Sequence, residues 1–166
     1  VGGAGIVAAH CSGLGANLEF MTVVGCDPLG TKAKKQIELL GIRPKIFVDE
    51  TRQTIRKTRY VWNNRNIFRA SALSYHRIDK ELEEKIIILI QKRIKNLDFI
   101  ILSDFNYGFL NGSFIEKIIE LAKENNVIIS ADSQSSSQIG TLGKYRNVDL
   151  VTPTEYEARS ALQDYT

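Results

Sequence analysis

Apolar residues recur along the chain in two rhythms. Short apolar runs lie at residues 18–24, 99–102, 127–130 and 148–151, and each predicts a strand, that over 99–102 a buried one. Between them the spacing is helical. Residues 3–13, rich in Ala and Gly, predict a tightly packed helix that closes at Leu14-Gly15-Ala16, with Gly15 suited to a left-handed cap. Asp27-Pro28-Leu29-Gly30 opens a second helix that runs to about Leu40 and stops at Gly41. Residues 79–95 form a third, with Leu82, Ile86, Leu89 and Ile90 toward the core. Asn111-Gly112-Ser113 leads into a fourth over about 114–124, and a fifth starts near Glu155 after Thr152-Pro153. Helices alternating with short apolar strands predict an α/β fold, its mostly parallel sheet covered on both faces.

The middle of the chain breaks this rhythm. Residues 45–48 and 54–62 alternate as strands do, but in the second run neither side is purely apolar. Asn63-Asn64 suits a tight turn, because Asn tolerates positive φ, and residues 66–69 return as the partner strand. Residues 44–70 thus predict a small exposed β-sheet projecting from the main body, with Trp62 anchoring the hairpin. The polar run 133–138 reads as a loop.

Composition narrows the function classes. At 166 residues the length fits one domain with a real core. A net charge of +3, with dispersed cations, argues against a nucleic-acid partner. No apolar run approaches the ~18 residues of a membrane span. The start at Val1-Gly2-Gly3 is neither a signal peptide nor a translation start, so processing or truncation is expected to have set this end. Cys11 and Cys26 have no metal-site spacing and read as reduced thiols of a cytoplasmic protein, with a catalytic Cys the weaker alternative.

Ligands in open α/β sheets sit at the carboxyl ends of the strands. Those ends carry Asp104, Asp132 and, in the first turn after Thr152-Pro153-Thr154, Glu155 and Glu157. Singly, Asp104 and Asp132 fit turn caps as well as function, and Glu155 fits ordinary helix-dipole complementation. Together they favour a ligand rim, and Glu157 suits a Mg²⁺ water shell. Lys57 and Arg59 share one side of a strand, with Arg69 on its partner. They suit a phosphate or another anion, the alternative being a solvated charged face. His10 reads as a packed helix residue. Gly3-Ala4-Gly5-Ile6-Val7-Ala8 matches GxGxxA with Asp27 after the next strand, a weak dinucleotide-binding signal.

Read in order, five motifs resemble the ribokinase-like (PfkB) carbohydrate kinases, and among them the heptose-7-phosphate kinase branch. They are Gly2-Gly3-Ala4-Gly5, Val24-Gly25-Cys26-Asp27-Pro28-Leu29-Gly30, Thr54-Ile55-Arg56-Lys57-Thr58-Arg59, Leu102-Ser103-Asp104-Phe105-Asn106-Tyr107-Gly108 and Thr152-Pro153-Thr154-Glu155-Tyr156-Glu157-Ala158. The resemblance implies a three-layer fold whose projecting sheet is a lid over the sugar and a homodimer contact. It implies ATP- and Mg²⁺-dependent phosphorylation of a sugar or sugar-phosphate hydroxyl. Gly2, Gly3, Lys57, Arg59 and Asp104 would bind the substrate. Asp132, Thr154, Glu155 and Glu157 would serve ATP, Glu157 also the metal. It further implies that residues 1–166 are part of a kinase domain. An opening strand would precede Val1, and a Gly-Ala-Gly-Asp motif with the general base would lie beyond Thr166, so no base is assigned in this chain. Ile6, His10 and Thr154 stand where the family usually has Asn, and Asn106-Tyr107 replaces a small or basic pair. These departures keep open a catalytically inactive sugar- or nucleotide-binding homologue, and a dinucleotide-binding domain stands behind both.

Overall fold

The first helix, α1 (Gly3–Gly13), starts without a side-chain cap at Gly2 and buries Gly5 and Ala8. Gly15, at φ +90°, turns the chain out of it. Strand β1 (Glu19–Val24) follows, then α2 (Pro28–Glu38), with Pro28 in the first turn and Asp27 as cap. Pro is favoured there because its missing N–H would have no helical partner anyway. Gly41, at φ +73°, reverses the chain into β2 (Arg43–Val48). Strands β1 and β2 pair in parallel from Glu19 opposite Arg43 to Val24 opposite Val48, a β-α-β unit. Ala8, Ile37 and Ile42 form its buried centre, with Leu18, Phe20 and Ile46 packed against them.

Next comes an antiparallel hairpin, β3 (Arg56–Trp62) and β4 (Arg65–Ala72). Its turn is Asn63-Asn64 with φ of 45° and 60°, the double positive φ that matches the twist of two strands joined by two residues. A register shift between Tyr60 and Val61 leaves Ile67 with no opposite number. Two sequence expectations are corrected here. Residues 44–48 do not belong to the projecting sheet: Ile46 turns to the β1–β2 core, so β2 joins the parallel pair and the small sheet is the hairpin alone. Trp62 anchors nothing; it flanks the turn and is 69% exposed.

The structure is a computed structural model describing residues 2–133 and 142–164, in two units, 1–75 and 76–166. Of the polar run 133–138, all but the backbone of Ser133 lies outside the described residues. The second unit opens with α3 (Lys80–Arg93), capped by Asp79, which accepts from Leu82 N at 2.7 Å. Strand β5 (Phe99–Asp104), helix α4 (Gly112–Glu124), strand β6 (Ile128–Ser133), strand β7 (Leu150–Val151) and helix α5 (Glu155–Leu162) complete it. The three strands form one parallel sheet in the order β5-β6-β7. On α3, Ile86 and Ile90 are buried as expected, while Leu82 and Leu89 are half-buried. Glu83 is buried between them and accepts from the amide of Asn111, the residue that caps α4.

Phe114, Ile115, Ile118, Ile119 and Ala122 of α4 are buried, as are Leu102, Ile129 and Ala131 on one face of the sheet. Phe99, Ile101, Ile128 and Leu150 share the other face by register and are exposed. Phe114 is fully buried and among the largest side chains so placed. Phe114→Ala is expected to lower unfolding free energy by about 3–5 kcal/mol through lost transfer energy and a residual cavity. Denaturant titration followed by circular dichroism measures it.

Candidate functional site

The first unit places its chemistry around the turn from β1 into α2. Gly25 N donates to Thr54 Oγ1 at 3.0 Å. Asp27 accepts from Gly30 N with Oδ1 at 2.8 Å and from Thr54 N with Oδ2 at 2.7 Å. A Cβ on Gly25 would lie 2.4 Å from the Arg52 carbonyl oxygen, and one on Gly30 would lie 2.7 Å from that of Gly25. Only glycine fits at either place. The amides of Thr54 and Gly30 hold the Asp27 carboxyl below its ordinary range. With both oxygens engaged by protein donors, Asp27 is not presented to a ribose. The dinucleotide-binding alternative has no footing here. Nearby, Asp49 is buried. Burial pushes its carboxyl up, but bonds from Thr51 and Arg52 outweigh that and hold it low. The Arg52 Nε to Asp49 Oδ2 distance is 2.7 Å.

On the hairpin, Lys57 and Arg59 stand on one face, and Arg69 lies directly opposite Arg59. Like charges directly opposed destabilise a strand pair, so this face is costly unless an anion shares it. The other face carries Tyr60 and Phe68, stacked at 4.1 Å between ring centroids.

In the second unit, parallel register aligns the strand ends. Ser103 lies opposite Asp132, Asp104 opposite Ser133, and Ala131 opposite Val151. Thr152 Oγ1, just past β7, donates to Asp132 Oδ1 at 3.2 Å. Thr154 caps α5 in a reciprocal box. Its Oγ1 accepts from Glu157 N at 3.3 Å, while Glu157 Oε2 accepts from Thr154 N at 2.8 Å and from Thr154 Oγ1 at 2.9 Å. Glu157 is buried; Glu155 points outward to Arg159 Nε at 3.0 Å. Register therefore brings Asp104, Asp132 and the start of α5 to one rim.

Asp104 is buried and already occupied. Its Oδ2 accepts from Tyr145 Oη at 2.6 Å and pairs with the Lys144 ammonium, and its Oδ1 accepts from Asn106 N at 2.7 Å. Lys144 also donates to Asn106 Oδ1 at 2.6 Å. Sequence reasoning missed Lys144 and Tyr145. They stand forty residues away, beside a short 3-10 turn (Leu142–Lys144) that leaves no periodic signal.

The whole described length has a known counterpart. Residues 1–164 match the pfkB family carbohydrate kinases. The chain belongs to that family. It is 32% identical over 166 residues to the bifunctional protein HldE of Helicobacter acinonychis, an alignment covering 98% of this chain and 34% of the relative. The chain thus spans about a third of the length of the curated relatives it matches. Among solved structures it resembles ribokinase from Giardia lamblia, with TM-score 0.63, 16% identity, and coverage of 86% of this chain and 43% of that one. It also resembles the tetrameric inhibited form of phosphofructokinase-2 from Escherichia coli, with TM-score 0.72, 12% identity, and coverage of 98% and 52%. The fold is ribokinase-like: α/β with parallel strands and a small antiparallel sheet.

For this pfkB-family chain, Gly2, Gly3, Lys57 and Arg59 fall in the first unit, and Asp104, Asp132, Thr154, Glu155 and Glu157 in the second. Among the described residues no three His, Cys, Asp or Glu side chains form a metal cluster. Mg²⁺ does not need one, because it keeps most of its waters and takes one or two carboxylates.

Two outcomes follow. Tyr145→Phe removes one donor from the buried Asp104 carboxylate and is expected to cost about 1–2 kcal/mol in denaturant unfolding. Asp27, Asp49 and Asp149 all have carboxyls held below their ordinary value of 3.8 in the folded state. Their contribution to stability is therefore complete above that value and lost as pH falls through the lower folded values. Unfolding midpoints should be level from about pH 7 to 5 and drop below about pH 4, with a shallower drop in Asp27→Asn.

Proposed function

We propose that this chain carries the acceptor-side lid and the nucleotide-side rim of an ATP- and Mg²⁺-dependent kinase that phosphorylates a sugar or sugar-phosphate hydroxyl. The observation that carries the reading is the cationic face of the hairpin, Lys57 and Arg59 with Arg69 opposed, within a pfkB-family chain. Cations crowded on an exposed sheet suit a phosphorylated acceptor better than a neutral sugar. Backbone N–H groups at Gly2 and Gly3, where α1 begins without a side-chain cap, suit sugar hydroxyls.

ATP supplies the phosphoryl group, and Mg²⁺ neutralises charge on its oxygens. The residues present fit that role in kind. Asp132 and Glu157 bring carboxylates to one rim, and the buried Ser103 hydroxyl, opposite Asp132, has no hydrogen-bond partner among the described residues. Thr154 and Glu155 would face the phosphates, with Glu157 holding metal-bound water. Asp104 supports the rim from beneath; a sugar reaching its Oδ2 would have to displace Lys144. The residue that removes the acceptor proton is assigned to no position in this chain. It is expected in the family's Gly-Ala-Gly-Asp motif.

The same reading places the protein in the cytoplasm; no helix among the described residues is long and apolar enough to cross a membrane. It also makes the hairpin a homodimer contact, supported by exposed Tyr60, Trp62, Ile67 and Phe68. A second reading, a sugar- or nucleotide-binding homologue without turnover, is favoured by Ile6, which offers no hydrogen bond, and by Thr154, whose hydroxyl is spent in the capping box.

Isothermal titration of the full-length protein with ATP-Mg²⁺ and with phosphorylated sugars tests both. Binding with turnover supports the kinase, binding without turnover supports the second reading, and no binding of either ligand sinks both. In the kinase, Lys57→Ala is expected to raise KM for a phosphorylated sugar about tenfold or more, the loss of one charge-assisted contact, with KM for ATP nearly unchanged. Equal effects on the two substrates would refute the lid role.

A further inference from the structure

The hairpin that carries Lys57, Arg59 and Arg69 is exposed at almost every position, so packing does little to fix where it stands. Its bearings come from its base. One stem enters at Gln53-Thr54 and the other leaves at Ser74, whose hydroxyl makes an exposed 3.4 Å bond to the Gln53 carbonyl. Two short ties lie at Thr54. Its N–H goes to Asp27 Oδ2 at 2.7 Å, and its Oγ1 takes the Gly25 N–H at 3.0 Å. The stem runs so close to the β1–α2 turn that Gly25 admits no Cβ, which would lie 2.4 Å from the Arg52 carbonyl oxygen and 2.8 Å from Thr54 N. From this latch to Lys57 is three residues, about 10 Å of extended chain. A small rotation at Thr54 therefore swings the cations by ångströms.

We propose that Asp27 and Thr54 are positioning residues for the acceptor. Asp27 uses one oxygen to start α2 and the other to hold the lid stem, so the turn and the lid cations move as one piece. This rests on the reading of Lys57 and Arg59 as holders of an anionic acceptor group. It goes beyond that reading by assigning acceptor affinity to two residues that touch no substrate.

Three substitutions separate positioning from stability. Asp27→Ser keeps a helix cap of equal quality, but its single oxygen cannot also reach Thr54 N. Thr54→Val keeps the side-chain shape and removes the acceptor for Gly25 N. Thr54→Ser restores that oxygen. In the full-length protein, Asp27→Ser and Thr54→Val are each expected to raise KM for a phosphorylated sugar about tenfold, the loss of a positioned charged contact, with KM for ATP within about twofold. Hairpin amides between Arg56 and Ala72 should exchange with deuterium faster in both. Thr54→Ser should return both readouts to wild type. Lys57→Ala is measured in parallel. If it raises the sugar KM while Thr54→Val leaves KM and exchange unchanged, the positioning role falls and the lid reading stands. If Lys57→Ala leaves the sugar KM unchanged, both fall. Equal rises for sugar and ATP in Thr54→Val would also overturn positioning, because a general loss of folded protein does not discriminate between substrates.

Discussion

One carboxylate with two employers organises the first unit. Asp27 would cap α2 with either oxygen, as Asp does at many helix starts, and a Ser would do as well. What a Ser cannot do is present a second acceptor to Thr54 N, 27 positions along the chain. That second bond brings a loop against the β1–α2 turn at a separation that excludes every side chain from Gly25, while the Gly25 carbonyl excludes one from Gly30. The spacing of glycine, aspartate and glycine is thus a contact requirement. The first glycine makes room for the incoming backbone, the aspartate binds it, and the second glycine lets the helix start beneath it. The low carboxyl pKa of Asp27 is the electrostatic signature of the same arrangement, two amides aimed at one anion.

The second unit solves a similar problem with charge instead of space. β5 delivers Asp104 into the interior at its carboxyl end, and an isolated buried carboxylate is costly. Lys144, Tyr145 and the Asn106 amide all converge on it, so the loop after β5 and the segment before β7 are tied to one anion. At the neighbouring strand end Asp132 accepts, among the described residues, from the Thr152 hydroxyl and is half-buried. Two aspartates at adjacent strand ends thus have different employments. One holds the rim together, and the other is the one the proposed kinase would turn toward its nucleotide.

Element type was legible because it is local. The Ala- and Gly-rich first helix, the Asp-Pro helix start, the Asn-Asn turn and the four apolar runs each carry their own physical reason within a few residues. Pairing was legible only across the two-residue Asn-Asn turn. Residues 45–48 alternate as an exposed strand does, and only the β1 partner shows that Ile46 faces a core. Trp62 looks like an anchor because large aromatics are usually buried, yet it flanks a turn with nothing to pack on. Of the site, the rim aspartates and the hairpin cations were visible as residue types at strand ends and on one strand face. The partners of Asp104 were not, since Lys144 and Tyr145 lie forty residues away with no periodicity linking them to it. Glu83, a carboxylate on an otherwise apolar helix face, is buried where it accepts from Asn111 as that residue caps α4.

The hairpin shows how these local economies combine. Opposing Arg59 to Arg69 works against strand pairing, by a few tenths to about 1 kcal/mol relative to a neutral pair. An exposed two-stranded hairpin is marginal by itself even without that repulsion. Three features offset it: a turn of two Asn residues already at positive φ, the Tyr60–Phe68 stack on the opposite face, and the stem held at Thr54. The stack and the stem lie off the face that opposes Arg59 to Arg69. Among the described residues neither Arg59 nor Arg69 forms an ion pair with a carboxylate. Neutralising them internally would have been the simpler route to a stable hairpin. In the proposed kinase, a strand pair that keeps Arg59 and Arg69 opposed, and draws its stability from the turn, the stack and the stem, receives its counter-charge from the phosphorylated acceptor.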